Sequence, residues 1–127
     1  GLLTGKYNDG NLPEDSRAKQ QGYTWLESVI KSWEEEGKLA KVKELTEYAK
    51  TNFDCNMAEL ALAWCVKNPN VSTVLLGATK EHQIESNLKA IEVVEKLTDE
   101  HMEAIEKILG NKPDSYWGNG DRKIPTI

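Results

Sequence analysis

The sequence predicts an α/β fold, because one short apolar segment leads directly into a helix and the rest of the chain shows helical periodicity. Residues 71–76 are β-branched and apolar, as in a strand buried on both faces of a parallel sheet. Gly77 ends this run, and a helix-forming segment follows at once. We therefore expect one buried strand among several helices.

Five helices are predicted from the spacing of apolar residues and from cap residues. They cover residues 24–35, 38–52, 56–66, 80–90 and 98–109. Asn56 followed three residues later by Glu59 is the pattern of a capping box, and Gly110 with Pro113 should end the last helix. The polar, turn-rich residues 114–127 are expected to form a mobile tail that contains Trp117.

Each helix carries an apolar stripe that is expected to face a core. The stripes are Leu26, Val29, Ile30 and Trp33; Leu39, Val42, Leu45 and Ala49; and Met102, Ile105, Ile108 and Leu109. The helix over 56–66 is apolar nearly all round, which is typical of a helix sandwiched between neighbours. Trp25, Trp33 and Trp64 are most simply core residues, since nothing in their positions requires stacking on a ligand.

The end of the predicted strand is a candidate anion-binding site. Gly77 would let the backbone approach a ligand closely, and Thr79 is a good N-cap. The first turn of the following helix offers free N–H groups and a partial positive charge. At a spacing of four, Gln83 and Asn87 share the helical face of Thr79. One hydroxyl and two amides suit a phosphate and the edge of a base, although an ordinary capped surface helix would show the same residues.

A second candidate segment lies near the start of the chain. Lys6 and Arg17 stand in predicted loops beside Thr4 and Ser16. Loops on a rigid scaffold often carry binding residues, and an Arg fork can hold a phosphate through two hydrogen bonds. Each cation alone would more commonly be a solvated surface charge.

Composition excludes several other function classes. The net charge of −5 argues against a nucleic-acid partner, which requires a basic face. The two cysteines, Cys55 and Cys65, lack a metal-binding spacing and indicate a reducing compartment rather than a disulfide. The two histidines are too far apart to add a site, and no stretch approaches the roughly 20 apolar residues of a membrane span. We expect no metal site.

Several segments together resemble the aldo-keto reductase family, and most closely its branch of cytoplasmic voltage-gated potassium channel β subunits. They are Gly5-Lys6-Tyr7, Ser16-Arg17-Ala18, and residues 22–26, 62–65, 71–78 and 108–113. The resemblance implies a (β/α)8 TIM barrel, of which residues 1–113 would be the C-terminal part. A whole barrel has about 250 residues, and this chain has 127. The complete protein is therefore expected to extend upstream.

The resemblance also implies the cofactor NADP(H) and specific contacts to it. Lys6, Ser16 and Arg17 match positions that reach its phosphates, and Thr4 matches a small hydroxyl position in the same loop. The set at the end of the eighth strand, which binds adenosine, is Gly77, Thr79, Gln83 and Asn87. A 2′-phosphate held by Arg17 and Thr79 would favour NADP(H) over NAD(H). Ser86 departs from the family, which usually has Glu there, so one contact to the adenine or ribose edge is in doubt.

No catalytic residue can be assigned in this chain. In the family, a Tyr helped by Lys, His and Asp donates a proton to the carbonyl oxygen, and all four lie in the first half of the barrel. Tyr7, Tyr23 and Tyr48 fall in the wrong segments, and Lys6 matches the cofactor-binding Lys. The chain is therefore interpreted as the half that holds the cofactor.

Two functions remain open for the complete protein. In the first, it would regulate a voltage-gated potassium channel, reduce aldehydes or ketones as small carbonyl substrates, or do both. It would then be a cytoplasmic homotetramer bound to channel α subunits at the plasma membrane. The alternative is a general NADPH-dependent aldo-keto reductase with no channel role. Residues 22–26 and 108–113 favour the channel branch.

Overall fold

The computed structural model describes residues 1–113, in which five α-helices follow two short 3-10 turns. The turns are Leu2–Thr4 and Arg17–Lys19. The helices α1 to α5 are Trp25–Glu35, Lys38–Phe53, Met57–Lys67, Glu81–Lys96 and Asp99–Leu109. All five predicted helices are confirmed, although α4 continues well beyond residue 90. The predicted tail and Trp117 lie outside the described residues.

The helix caps follow from local sequence. Asn56 Oδ1 accepts a hydrogen bond from the Glu59 backbone N–H at 2.9 Å, and the Glu59 carboxylate accepts one from the Asn56 backbone N–H at 3.0 Å. This is the predicted capping box of α3. Thr98 caps α5, and Gly110 ends it in the left-handed conformation with φ of 58°.

The main core lies between α2, α3, α4 and α5. Its buried side chains are Val42, Leu45, Ala49, Phe53, Met57, Leu60, Ala63, Ala90, Val93, Leu97 and Ile105. A smaller cluster joins the first loop to α1 and α2 through Tyr7, Ala18, Ile30 and Leu39. The predicted stripe of α2 is confirmed, because all four of its residues are buried.

The predicted strand does not form within the described residues. Residues 71–78 have no regular secondary structure and no strand pairing, and Leu75 is 90% exposed. The expectation of a buried strand was therefore wrong for this chain. A strand obtains its ladder hydrogen bonds from neighbouring strands, and the sequence of residues 1–113 offers no second segment of that kind.

The tryptophan predictions are confirmed in part. Trp33 packs against the smaller cluster and Trp64 against the main core. Trp25 is 57% exposed, so its assignment to the core was wrong. It is the first residue of α1, about 100° around the helix from the core-facing Leu26. None of the described helices is both long and apolar enough to span a membrane.

The isolated chain is expected to self-associate rather than behave as a stable monomer. Leu75, Ile84, Leu88 and Ile91 are each more than half exposed, and contiguous apolar surface drives association. Sedimentation velocity at increasing concentration should show oligomers. Leu88→Ser should reduce their fraction, whereas Lys89→Ser at the next exposed position should not. A sharp, cooperative melt of a monomeric 127-residue chain would contradict this expectation.

Candidate functional site

Two segments that are far apart in the sequence meet at one ion pair. Lys80 Nζ donates a hydrogen bond to Asp15 Oδ2 at 2.7 Å. Asp15 immediately precedes Ser16, and Lys80 immediately follows Thr79. The first loop and the start of α4 therefore lie side by side, as a binding site shared by both would require.

Electrostatics at this junction reflect the surrounding cations. The hydrogen bond from Lys80 and then its charge hold the pKa of Asp15 below its usual range, and the charge of Lys6 adds to the effect. Lys6 is thus within electrostatic reach of the pair. Neither Asp15 nor Lys80 was identified from the sequence, because opposite charges 65 residues apart give no local pattern.

The start of α4 is capped by Gln83 rather than by Thr79. Gln83 Oε1 accepts hydrogen bonds from the Thr79 backbone N–H at 2.9 Å, the Thr79 hydroxyl at 3.3 Å and the Lys80 backbone N–H at 3.3 Å. The N-cap residue is Lys80 and the helix begins at Glu81. The prediction of Thr79 as N-cap was wrong by one residue, because the helix begins one residue later than the sequence indicated. Thr79 contacts Gln83, but it precedes α4 and therefore does not lie on a helical face with Gln83 and Asn87 as predicted.

In the first loop, a buried hydroxyl lies beside an exposed cation. Ser16 is 2% exposed, and its Oγ has no hydrogen-bond partner within the described part of the chain. Arg17 is exposed, with its guanidinium carbon 5.7 Å from the centroid of the Tyr23 ring. Ala18 is buried and fixes the loop against the smaller cluster. A buried hydroxyl without a partner, such as that of Ser16, is able to donate a hydrogen bond to an oxygen atom of a bound anion.

Thr4 and Lys6 lie close to the same loop. The Thr4 hydroxyl donates to the Gly1 carbonyl at 2.7 Å, which orders the turn before Lys6. The charge of Lys6 also lowers the pKa of Asp15, so Lys6 lies within electrostatic reach of the first loop.

A groove of about 500 Å³ runs along α3 and the extended segment. Its walls are mostly apolar, including Leu60, Trp64 and Leu76, while Thr4, Gly77 and Asn87 supply polar or backbone surface. Of the eight predicted cofactor-binding residues, these three line the groove. Lys6 lines a separate depression of about 470 Å³ that it shares with Thr4. Ser16 and Arg17 directly follow Asp15 in the sequence, and Gln83 contacts Thr79 and Lys80 on the other side of the junction.

Chemistry based on a metal or a thiolate has no support in residues 1–113. No group of three potential metal ligands occurs there. Cys55 and Cys65 are free thiols. Burial, followed by the charge of Glu59, raises the pKa of Cys55 to about 11, so this thiol is a poor nucleophile at neutral pH.

Comparison with known proteins identifies the family. The model of the "Aldo/keto reductase family" matches residues 1–110. The chain belongs to the aldo/keto reductase family. It is also 44% identical over 115 residues to a "Probable voltage-gated potassium channel subunit beta" of Oryza sativa subsp. japonica. That alignment covers 89% of this chain and 33% of the rice protein, so the chain spans about a third of its relative's length.

The family relationship explains the unpaired segment 71–78. Aldo/keto reductases are (β/α)8 barrels, in which every strand is hydrogen-bonded to strands on both sides. A strand of such a barrel would bury an apolar side chain like that of Leu75. The resemblance inferred from the sequence motifs, including the likeness to channel β subunits, is confirmed by these comparisons.

Cys55 is expected to react slowly with alkylating reagents in the folded protein. With a pKa of about 11 it remains a neutral thiol near pH 8, whereas an unfolded cysteine has a pKa of about 8.5. Iodoacetamide labelling followed by mass spectrometry should thus be slower in the native protein than in urea, and the difference should shrink as pH rises. Equal labelling rates in the two states near pH 8 would contradict this assignment.

Proposed function

We propose that this chain is the NADP(H)-binding, C-terminal part of a potassium-channel β-subunit-like aldo/keto reductase. The observation that carries the proposal is the Asp15–Lys80 junction, which places the Ser16 and Arg17 loop beside the start of α4. Family membership supports a nicotinamide cofactor. The two segments together offer cations for phosphates and amides for a base.

The residues present fit this cofactor. The buried Ser16 Oγ has no hydrogen-bond partner in residues 1–113 and can donate to a phosphate oxygen. Lys80 and Lys6 both lower the pKa of Asp15, and Arg17 follows two residues later, so the loop offers positive charge suited to a diphosphate. The nicotinamide, when bound, supplies the hydride that reduces a carbonyl carbon.

Each remaining candidate has a distinct role in this proposal. Thr4 orders the loop that carries Lys6, and Gly77 leaves open space for close approach of the ligand. Arg17 and Thr79 hold the 2′-phosphate, while Gln83 orients the Thr79 backbone and hydroxyl. Asn87, on the wall of the groove, contacts the adenine.

The proposed activity of the complete protein is regulation of a voltage-gated potassium channel, reduction of aldehydes and ketones, or both. The rice relative's name supports a channel role. The protein would be a cytoplasmic homotetramer that binds channel α subunits at the plasma membrane. A general NADPH-dependent reductase is the alternative, and co-purification of the full-length protein with a channel α subunit would distinguish the two.

The 127-residue chain alone is expected to show no reductase activity. No residue in it matches the family's proton-donating Tyr or its Lys, His and Asp helpers. Loss of NADPH absorbance with an aldehyde substrate should therefore stay at the background rate, while the full-length protein serves as the positive control. Carbonyl-dependent NADPH oxidation by the purified chain would contradict the assignment of roles.

Arg17→Ala in the full-length protein should weaken NADPH much more than NADH. A charge-assisted hydrogen bond to a phosphate contributes about 1.5 to 3 kcal/mol, so the NADPH affinity should fall roughly 10- to 150-fold. NADH lacks the 2′-phosphate and should change little. Calorimetric titration with both nucleotides measures the two ratios.

Two further variants complete this experiment. Lys19→Ala removes a charge from the same 3-10 turn, but Lys19 faces Glu27 at 3.7 Å, so it should alter neither affinity. Asn87→Ala should weaken both nucleotides alike, because adenine is common to them. An equal loss of both affinities in Arg17→Ala would show that Arg17 is not the 2′-phosphate ligand.

A further inference from the structure

Four hydrogen bonds form a closed ring between the start of α3 and the middle of α4. The capping box supplies two of them, between Asn56 and Glu59. The Ser86 hydroxyl donates to Glu59 Oε1 at 2.7 Å and accepts from Asn56 Nδ2 at 2.9 Å. Ser86 thus converts a local cap into a link between two helices.

The ring places narrow demands on residue 86. One side-chain atom must donate to a carboxylate and accept from an amide, and a short hydroxyl does both. Glu59 is 7% exposed, so a missing donor would leave a carboxylate oxygen largely shielded from water. Ser86 is therefore the residue that satisfies both partners.

This link holds the half of α4 that carries the proposed cofactor contacts. The structure describes all of α4, and none of its residues before Ala90 is buried. Ala90 and Val93 fasten only the second half of the helix to the main core. In the first half, the ring at Ser86 takes that role.

The orientation of the Ser86 side chain around the axis of α4 also fixes that of the Asn87 side chain. Successive helical residues are about 100° apart, so a helix whose Ser86 faces α3 turns Asn87 toward another side. Asn87 indeed lines the groove next to Gly77. A rotation of α4 that released Ser86 would carry Asn87 away from this position.

We infer that Ser86, held by Glu59 and Asn56, is a positioning residue that orients Asn87 for the adenine half of the cofactor. The inference rests on the proposed NADP(H) function and adds a determinant of affinity that does not touch the ligand. It also gives Ser86 a role in place of the direct contact that its departure from the family's usual Glu puts in doubt.

The test uses the full-length protein and calorimetric titration with NADPH and with NADH. Ser86→Ala should weaken both nucleotides by the same factor, about 3- to 10-fold, as for one well-placed hydrogen bond. Ser86→Thr, which keeps the hydroxyl, should restore most of the affinity. Glu85→Gln, at the neighbouring exposed position, should bind both nucleotides like the unchanged protein.

A double-mutant cycle separates positioning from a general structural role. If Ser86 acts through Asn87, Ser86→Ala combined with Asn87→Ala should bind no more weakly than Asn87→Ala alone. If the double variant instead loses affinity by the product of the two single losses, the inference is wrong. It is also wrong if the Ser86→Ala protein melts at a lower temperature yet binds both nucleotides normally. Should Ser86→Ala fail to fold, Glu59→Gln breaks the same ring while keeping its shape, and the same outcomes apply to it.

Failure of the proposed function would look different. If the unchanged full-length protein binds neither nucleotide, both the function and this inference are wrong. If it binds NADPH and the Ser86 variants bind equally well, only the positioning role is wrong.

Discussion

The packing of α3 against α4 is the constraint on which the rest of the structure depends. Leu60 and Ala63 of α3 and Ala90 and Val93 of α4 belong to one buried cluster. The two alanines have almost no exposed surface, so a larger side chain at either position would separate the helices or strain the core. Because α4 carries Gln83 and Asn87, an error in this packing would displace the candidate site.

Electrostatics organise the site on a chain whose net charge is −5. Lys80 is paired with Asp15, and the charge of Lys6 also lowers the pKa of that carboxyl. An exposed ion pair contributes little to stability. Its main effect here is geometric, because it joins the first loop to the start of α4. The proposed anion site therefore does not require a basic protein.

The helices could be predicted from the sequence because their causes are local. The Asn56 and Glu59 cap needs only three residues of spacing, and each apolar stripe follows from one helix. The strand prediction was wrong because a strand depends on hydrogen bonds to neighbouring strands, which local sequence does not reveal. Thr79 is not the N-cap because α4 begins at Glu81, one residue later than predicted, and Lys80 takes the N-cap position. The candidate site residues were identified from sequence motifs. The Lys80–Asp15 and Ser86–Glu59 contacts could not be predicted, because their partners lie 65 and 27 residues apart and form no local pattern.

The ring at Ser86 shows why a single departure from a family pattern has to be interpreted together with its neighbours. A glutamate at position 86 would bring a second carboxylate against Glu59 Oε1, where the Ser86 hydroxyl now lies at 2.7 Å. Two carboxylates in a shielded site repel each other and favour protonation of one of them. With Glu59 in the cap of α3, this chain therefore excludes the family's usual residue from the same inward-facing position. Ser86 and Glu59 form one structural unit, in which the residue at each position restricts what the other tolerates.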